Sequence, residues 1–124
     1  MAMNKLIAEV TELIEREYGR AGAKFGLTNH SDHESYAVLL EELEEAKVEV
    51  GTLERQVALF WGMTKCNDPD TRKFQLLLQM HKNALYGACE LIQVAAMAKK
   101  AAMTVCDRGA IKEFKEGERH ESNK

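Results

Sequence analysis

Two short acidic phrases carry the clearest chemical potential in this chain. Glu41-Glu42-Leu43-Glu44-Glu45 lies in one helix-prone stretch, and Glu90-Leu91-Ile92-Gln93 lies in another. Spacing of i, i+3 places Glu42 with Glu45, and Glu90 with Gln93, on single helical faces. Between them Cys66-Asn67-Asp68-Pro69-Asp70 reads as a turn, because Pro69 cannot continue a helix and Asn67 and Asp68 suit a reversal. In an antiparallel hairpin with equal rise on each arm, residues equidistant from the turn lie side by side. Glu42 and Gln93 are nearly equidistant from Asp68, and so are Glu45 and Glu90. Three carboxylates and an amide are therefore expected to converge beside the apolar seam. Facing carboxylates repel unless something positive sits between them. Mg²⁺ or Mn²⁺ suits such a place, being a hard cation bound by oxygens and often shared with substrate phosphates. A cation held there can clamp a di- or triphosphate and activate water for hydrolysis. The plainer alternative is a solvated acidic face, to which Glu41 and Glu44 are well suited, with Glu45 and Glu49 pairing to Lys47, Lys99 or Lys100.

The elements that must position these groups follow from periodicity. Residues 3–18 place Leu6, Ile7, Val10, Leu13, Ile14 and Tyr18 on one face, which predicts an amphipathic N-terminal helix. Gly19, Gly22 and Gly26 then predict a long loop reaching His33, with functional potential of its own. Ser31-Asp32-His33-Glu34 is a capping box, with Ser31 capping and Glu34 reaching back. From Tyr36 through Leu39, Leu43, Ala46, Val50, Leu53, Val57 and Phe60, apolar residues recur at steps of three and four. That seam predicts a helix over 34–65, with Gly51 as a weak point or kink. A third helix is expected over 71–105, started by Asp70 or Thr71, with many small residues that let a neighbour approach closely. The ordered domain spans 1–109, and 110–124 is a charged tail, expected to fray into disorder. The fold class is all-α: a long antiparallel hairpin plus the N-terminal helix. A lone hairpin cannot bury both sides of its seam, so assembly into an oligomeric helical bundle is expected.

Composition narrows the partners. Seventeen basic residues against 20 acidic ones, a net charge of −3, leave no basic footprint for a nucleic-acid backbone. No apolar run approaches the ~20 residues of a membrane span, and the first residues do not read as a signal peptide. Three well-separated thiols, Cys66, Cys89 and Cys106, fit small packing residues in a reduced, cytoplasmic setting. Tyr86 and Met97 share a face with Glu90 and Gln93 and can line a base pocket, although interhelical packing is the commoner use. His30 and His33 can contact phosphate or metal, with capping or solvent as the alternative. Lys65, Arg72, Lys73, Lys99 and Lys100 can reach phosphates from a neighbouring subunit or stay solvated. Phe60, Trp61 and Phe74 near the turn suit a core better than a base-stacking platform.

Taken together, Glu41-Glu42-x-x-Glu45 and Glu90-x-x-Gln93 resemble the E-E-x-x-E … E-x-x-D pattern of the all-α nucleoside triphosphate pyrophosphohydrolases, the MazG-like family. The flanking phrases His33–Glu42 and Glu90–Ala98 are similar to small MazG-like proteins of phages and prophages, over about residues 28–103. The resemblance implies a helical homodimer or homotetramer in the cytoplasm, that of the host if phage-encoded. It also implies Mg²⁺-dependent release of a nucleoside monophosphate and pyrophosphate. By position, Glu42, Glu45 and Glu90 become metal ligands, with Gln93 at the fourth ligand position. Glu41 becomes an extra acid near the metal or its water, so that Glu41, Glu42 and Glu45 are the candidate catalytic acids. Tyr86, Met97, Lys99 and His33 are the candidate nucleotide contacts. Two departures stand out: Gln93 occupies the place of the family's Asp, and 44 residues (46–89) separate Glu45 from Glu90. A protein that kept the pocket and lost a ligand would bind and sequester a nucleotide, as a phage counter-defence protein does. A ligand-free structural oligomer is a third expectation.

Overall fold

The computed structural model describes residues 2–110. The charged-tail expectation falls, Ala110 apart, outside the described residues. Three helices account for nearly all of them: α1 (Ala2–Phe25), α2 (Asp32–Lys65) and α3 (Asp70–Val105). A π-helical turn, Cys106–Ala110, closes the described chain, with Gly109 at φ 86°. The fold is all-α, as the periodicity predicted, and no described helix is long and apolar enough to cross a membrane.

Each boundary has a local cause. Ser31 caps α2, its Oγ accepting from the Glu34 amide at 3.1 Å, as the capping box requires. Glu34 reaches back one residue further than expected and accepts from the His30 amide at 3.2 Å. At the other end the Asn67 amide donates to Thr64 O, and the Asp68 amide donates to Met63 O. These are the paired bonds of a Schellman motif, with Asn67 at φ 53° in the position that favours glycine or asparagine. Pro69 follows at once, and its carbonyl accepts from the Arg72 and Lys73 amides. Pro69 thus stands in the capping place expected of Asp70 or Thr71, and Asp70 is already helical. Helix α2 continues unbroken through Gly51.

The expected end of the first helix is wrong by seven residues. Helix α1 runs through Gly19 and Gly22 to Phe25, so the irregular segment shrinks to 26–31. Leu27 is the reason. It folds back so that a Cβ at position 22 would lie 2.1 Å from its Cδ2, and its carbonyl accepts from the Tyr18 hydroxyl at 2.9 Å. Gly22 is the close approach that this return requires, and Gly26, at φ 91°, makes the exit turn.

The described residues fall into two units. One comprises those up to Leu40 and those from Ile92 on, and the other is Glu41–Leu91. In the first, α1 joins the C-terminal part of α3 through polar contacts around the fully buried Ala96. The 26–31 loop is fastened there too. The Asn29 amide donates to Thr104 Oγ1 at 2.8 Å, Asn29 Nδ2 donates to Ser35 Oγ at 2.8 Å, and all three residues are buried. Arg108 adds an ion pair to Asp32 at 2.5 Å. In the second unit, α2 and α3 touch at pairs lying at similar distances from the Pro69 turn. Gln56 meets Asn83, and a Cβ on the buried Gly87 would meet that of Glu49 at 3.4 Å. Ala46 and Met63 are the buried apolar residues there.

Much of the predicted seam is open. Tyr36, Leu43, Val50, Val57, Phe74, Leu78 and Leu85 are exposed, as are Leu6, Ile7 and Leu13 of α1, which has no buried residue. Trp61 and Phe74 are exposed rather than core. Of the three thiols only Cys106 packs inside; Cys66 and Cys89 face solvent.

Candidate metal centre

The acidic groups singled out by spacing occupy the second unit. Glu42 and Glu45 share one face of α2, and Glu90 comes from α3. One carboxylate oxygen from each of the three lies within 4.8 Å of the others. Glu42 and Glu90 are half-buried and Glu45 is exposed. Ligand oxygens on opposite corners of an octahedral Mg²⁺ shell stand about 4.2 Å apart, twice a bond of ~2.1 Å. Of three ligands at most one pair can stand opposite, and adjacent ones stand about 3.0 Å apart, so the oxygens must draw together by up to roughly 1.8 Å to share such an ion. A set of three carboxylates with no nitrogen or sulfur donor selects hard cations over Zn²⁺ or copper.

Electrostatics describe the same crowding. Partial burial pushes the Glu90 carboxyl above its ordinary value, and a hydrogen bond to Glu45 and the charges of Glu45 and Glu49 push it the same way. The folded chain thus resists ionising Glu90 more than the unfolded chain does. For an acid with a raised folded value, stability is greatest at low pH and falls as pH rises through the carboxylate range. Glu90→Gln is accordingly expected to melt higher than the natural chain in metal-free buffer at neutral pH. It should also lose part of the decline in melting temperature between pH 4 and pH 7. A lower melting temperature would mean that the carboxylate has a stabilising partner there. Glu41, the neighbouring acid, is exposed.

Gln93 has a different engagement. Its Nε2 donates to Glu17 Oε1 at 2.6 Å, within the first unit. Glu17 also takes Arg20 Nε at 3.1 Å, and Arg20 first, then Gln93, hold its carboxyl below the ordinary value. Gln93 is thus engaged as a donor to a carboxylate, and an Asp at this position would be repelled by Glu17. Sequence reasoning missed Glu17 because it lies 76 positions away on a helix with no motif to mark it. Lys99 is likewise spoken for: its Nζ bonds Glu15 at 2.5 Å and sits 4.9 Å from the centroid of the Tyr18 ring. Lys100 is buried. Glu49, weighed in the sequence as a partner for lysine, accepts from Asn83 Nδ2 at 3.1 Å.

Of the remaining candidates, Tyr86 belongs to the second unit, one turn before Glu90, half exposed, with Lys82 Nζ 5.9 Å from its ring centroid. His33 is exposed and Met97 half-buried, both in the first unit. His30 offers its backbone amide to Glu34, and its side chain is exposed. Arg72 pairs with Asp68 and Lys73 with Asp70, each at 3.5 Å. No known family, curated protein or solved structure matches this chain.

Proposed function

We propose that this protein is a divalent-cation-dependent nucleoside triphosphate pyrophosphohydrolase of MazG-like type. The observation that carries the reading is the convergence of Glu42, Glu45 and Glu90, from two helices, to within 4.8 Å. Exposed acids on one helix repel and spread; three that converge from two helices form a cage with a net negative charge and oxygen donors only. Glu42, Glu45 and Glu90 would hold Mg²⁺ or Mn²⁺. The bound cation supplies charge neutralisation for the phosphates and a more acidic water. Glu41, next to Glu42 in the chain and exposed, would accept a proton from an attacking water. Tyr86, one turn from Glu90, is a stacking surface for the base. In this reading the α2 and α3 arms form an antiparallel hairpin that assembles as a homodimer or homotetramer, and the open apolar face of Leu43, Val50, Val57 and Leu85 supports it.

The test is pyrophosphate release from a panel of canonical and modified nucleoside triphosphates with Mg²⁺ or Mn²⁺, read beside thermal melting. A cation that binds only the folded chain raises its melting temperature. A rise of several degrees at millimolar Mg²⁺, absent from Glu90→Gln, is expected. A melting curve indifferent to both cations would leave a ligand-free helical oligomer as the better account.

One observation favours a second reading, a nucleotide-sequestering protein on the same fold. Gln93 is neutral and bonded to Glu17, so three ligands stand where the family pattern has four. Nucleotide-dependent stabilisation without turnover would establish it. Gln93→Asp alone is a poor probe of the lost ligand, because it sets a second carboxylate against Glu17. Gln93→Asp with Glu17→Gln removes that repulsion.

A further inference from the structure

Over residues 41–65 the apolar seam of α2 splits into two lines. Ala46, Leu53 and Phe60 recur every seven residues and are turned inward, Ala46 buried and the other two half-buried. Leu43, Val50 and Val57 recur every seven residues as well, and each stays about half exposed. Lys47 and Glu54 each stand four residues beyond a member of this open line and are exposed beside it. Neither takes a hydrogen bond or ion pair among the described residues. The chain thus covers one line of the seam and leaves the other open, flanked by two unpaired charges of opposite sign.

The open edge reads alike from either end. Counted from a point between Val50 and Gly51, Leu43 mirrors Val57 and Lys47 mirrors Glu54, to within one residue. Two copies of α2 laid antiparallel about that point set Leu43 against the partner's Val57 and Lys47 against the partner's Glu54, twice over. Such reciprocity, residue i meeting j and j meeting i, is what a two-fold axis requires. A parallel pairing sets Lys47 on its own copy and Glu54 on its own copy, and like charges oppose it. A foreign apolar helix would fit the three apolar residues equally well; the mirrored charges fit a second copy of this chain. Gly51, level with the same point, is a separate sign. A glycine inside a helix weakens it, and Gly22 and Gly87 each have a neighbour in their own chain that needs the space. Gly51 has none: a Cβ there would meet only the flexible end of Arg55, at 3.6 Å. At the two-fold point Gly51 comes beside its own copy, where the missing side chain lets two backbones close in.

We propose that the 43–57 edge of α2 is the two-fold interface of an antiparallel homodimer, kept in register by Lys47 and Glu54 pairing across it. The proposal rests on the homo-oligomer of the reading above and is independent of its cation site. The experiment is sedimentation equilibrium of the full-length chain at low ionic strength, with circular dichroism as the control on folding. Lys47→Glu turns both attractive pairs into repulsive ones and should weaken the dimer by about tenfold or more, and Glu54→Lys likewise. Mixed in equal amounts, the two variants should pair with each other about as tightly as the natural chain, because opposite charges face again at both places. The double variant Lys47→Glu, Glu54→Lys should do so alone. In a parallel pairing the single changes would leave like charges facing as before and alter nothing. Gly51→Leu should weaken the dimer while the dilute monomer melts as high as the natural one or higher. A dimer untouched by both single changes, or one that the mixture fails to recover, overturns this interface and leaves the oligomer to another face. A natural chain that stays monomeric at every concentration overturns both, and the three-carboxylate site still stands or falls by its own test of cation-dependent melting.

Discussion

Glu45→Ala is expected to lower pyrophosphate release by about 10²–10³-fold, the scale seen when one preorganised electrostatic group is removed from a reacting centre. In the proposed reading three carboxylates are few for a cation that would hold a polyphosphate, so none would be spare. Glu45 is also the most exposed of the three, which makes its loss cheap for folding. Its removal takes away a charge that opposes ionisation of Glu90, so the melting temperature in chelator should stay level or rise. Reduced turnover with undiminished stability is therefore the expected pairing, and it separates a lost ligand from a lost fold. Turnover that survives Glu45→Ala would place the reaction elsewhere on the molecule.

Thr104→Val should produce the largest loss of stability among single conservative changes. Thr104 is buried, donates its hydroxyl to Lys100 O at 2.7 Å and accepts the Asn29 amide at 2.8 Å. Valine keeps the shape and removes the acceptor, which strands a buried backbone N–H at a cost of about 1–3 kcal/mol. For a chain of this size that is a fall of roughly 3–10 °C in melting temperature, measurable by circular dichroism. Thr104→Ser, which retains the hydroxyl, should recover most of it. The companion bond from Asn29 to Ser35 means that loosening position 104 also loosens the start of α2.

How far the sequence could be read depends on how local each determinant is. Ser31 and Glu34 start α2, and Asn67 to Pro69 end it and begin α3, through bonds spanning at most five residues. Those boundaries were legible to within two residues. Glu42, Glu45 and Glu90 were placed together by counting from the turn, because regular helices carry register a long way. Gly22 was misread as loop. A glycine in a helix costs about 1 kcal/mol relative to alanine, and nothing near Gly22 announces that Leu27 returns over it. The bond from Gln93 to Glu17 was hidden for the same reason: the two become neighbours only when α1 is docked. The open seam was also beyond periodicity, which identifies an apolar face but not whether the chain itself covers it.

The separation of contacts along the chain sets an order of assembly. Within Glu41–Leu91 the bonds Gln56–Asn83 and Asn83–Glu49 join residues 27 and 34 positions apart, on either side of a self-capped turn. In the other unit the bonds that reach α3 from α1 and the 26–31 loop span 75 to 84 positions: Asn29 to Thr104, Glu17 to Gln93, Glu15 to Lys99. Closing the longer loops from an open chain costs about 1 kcal/mol more, and zipping the shorter ones first removes that cost. The Pro69 end therefore folds early, and α1 with the 26–31 loop docks last and is released first. In native-state hydrogen exchange, the Asn29 amide should report a shallow opening that leaves the amides near Glu49 and Gly87 protected. The carboxylates that would hold the cation lie in the segment that stays zipped, so α1 can come and go while the cage remains formed.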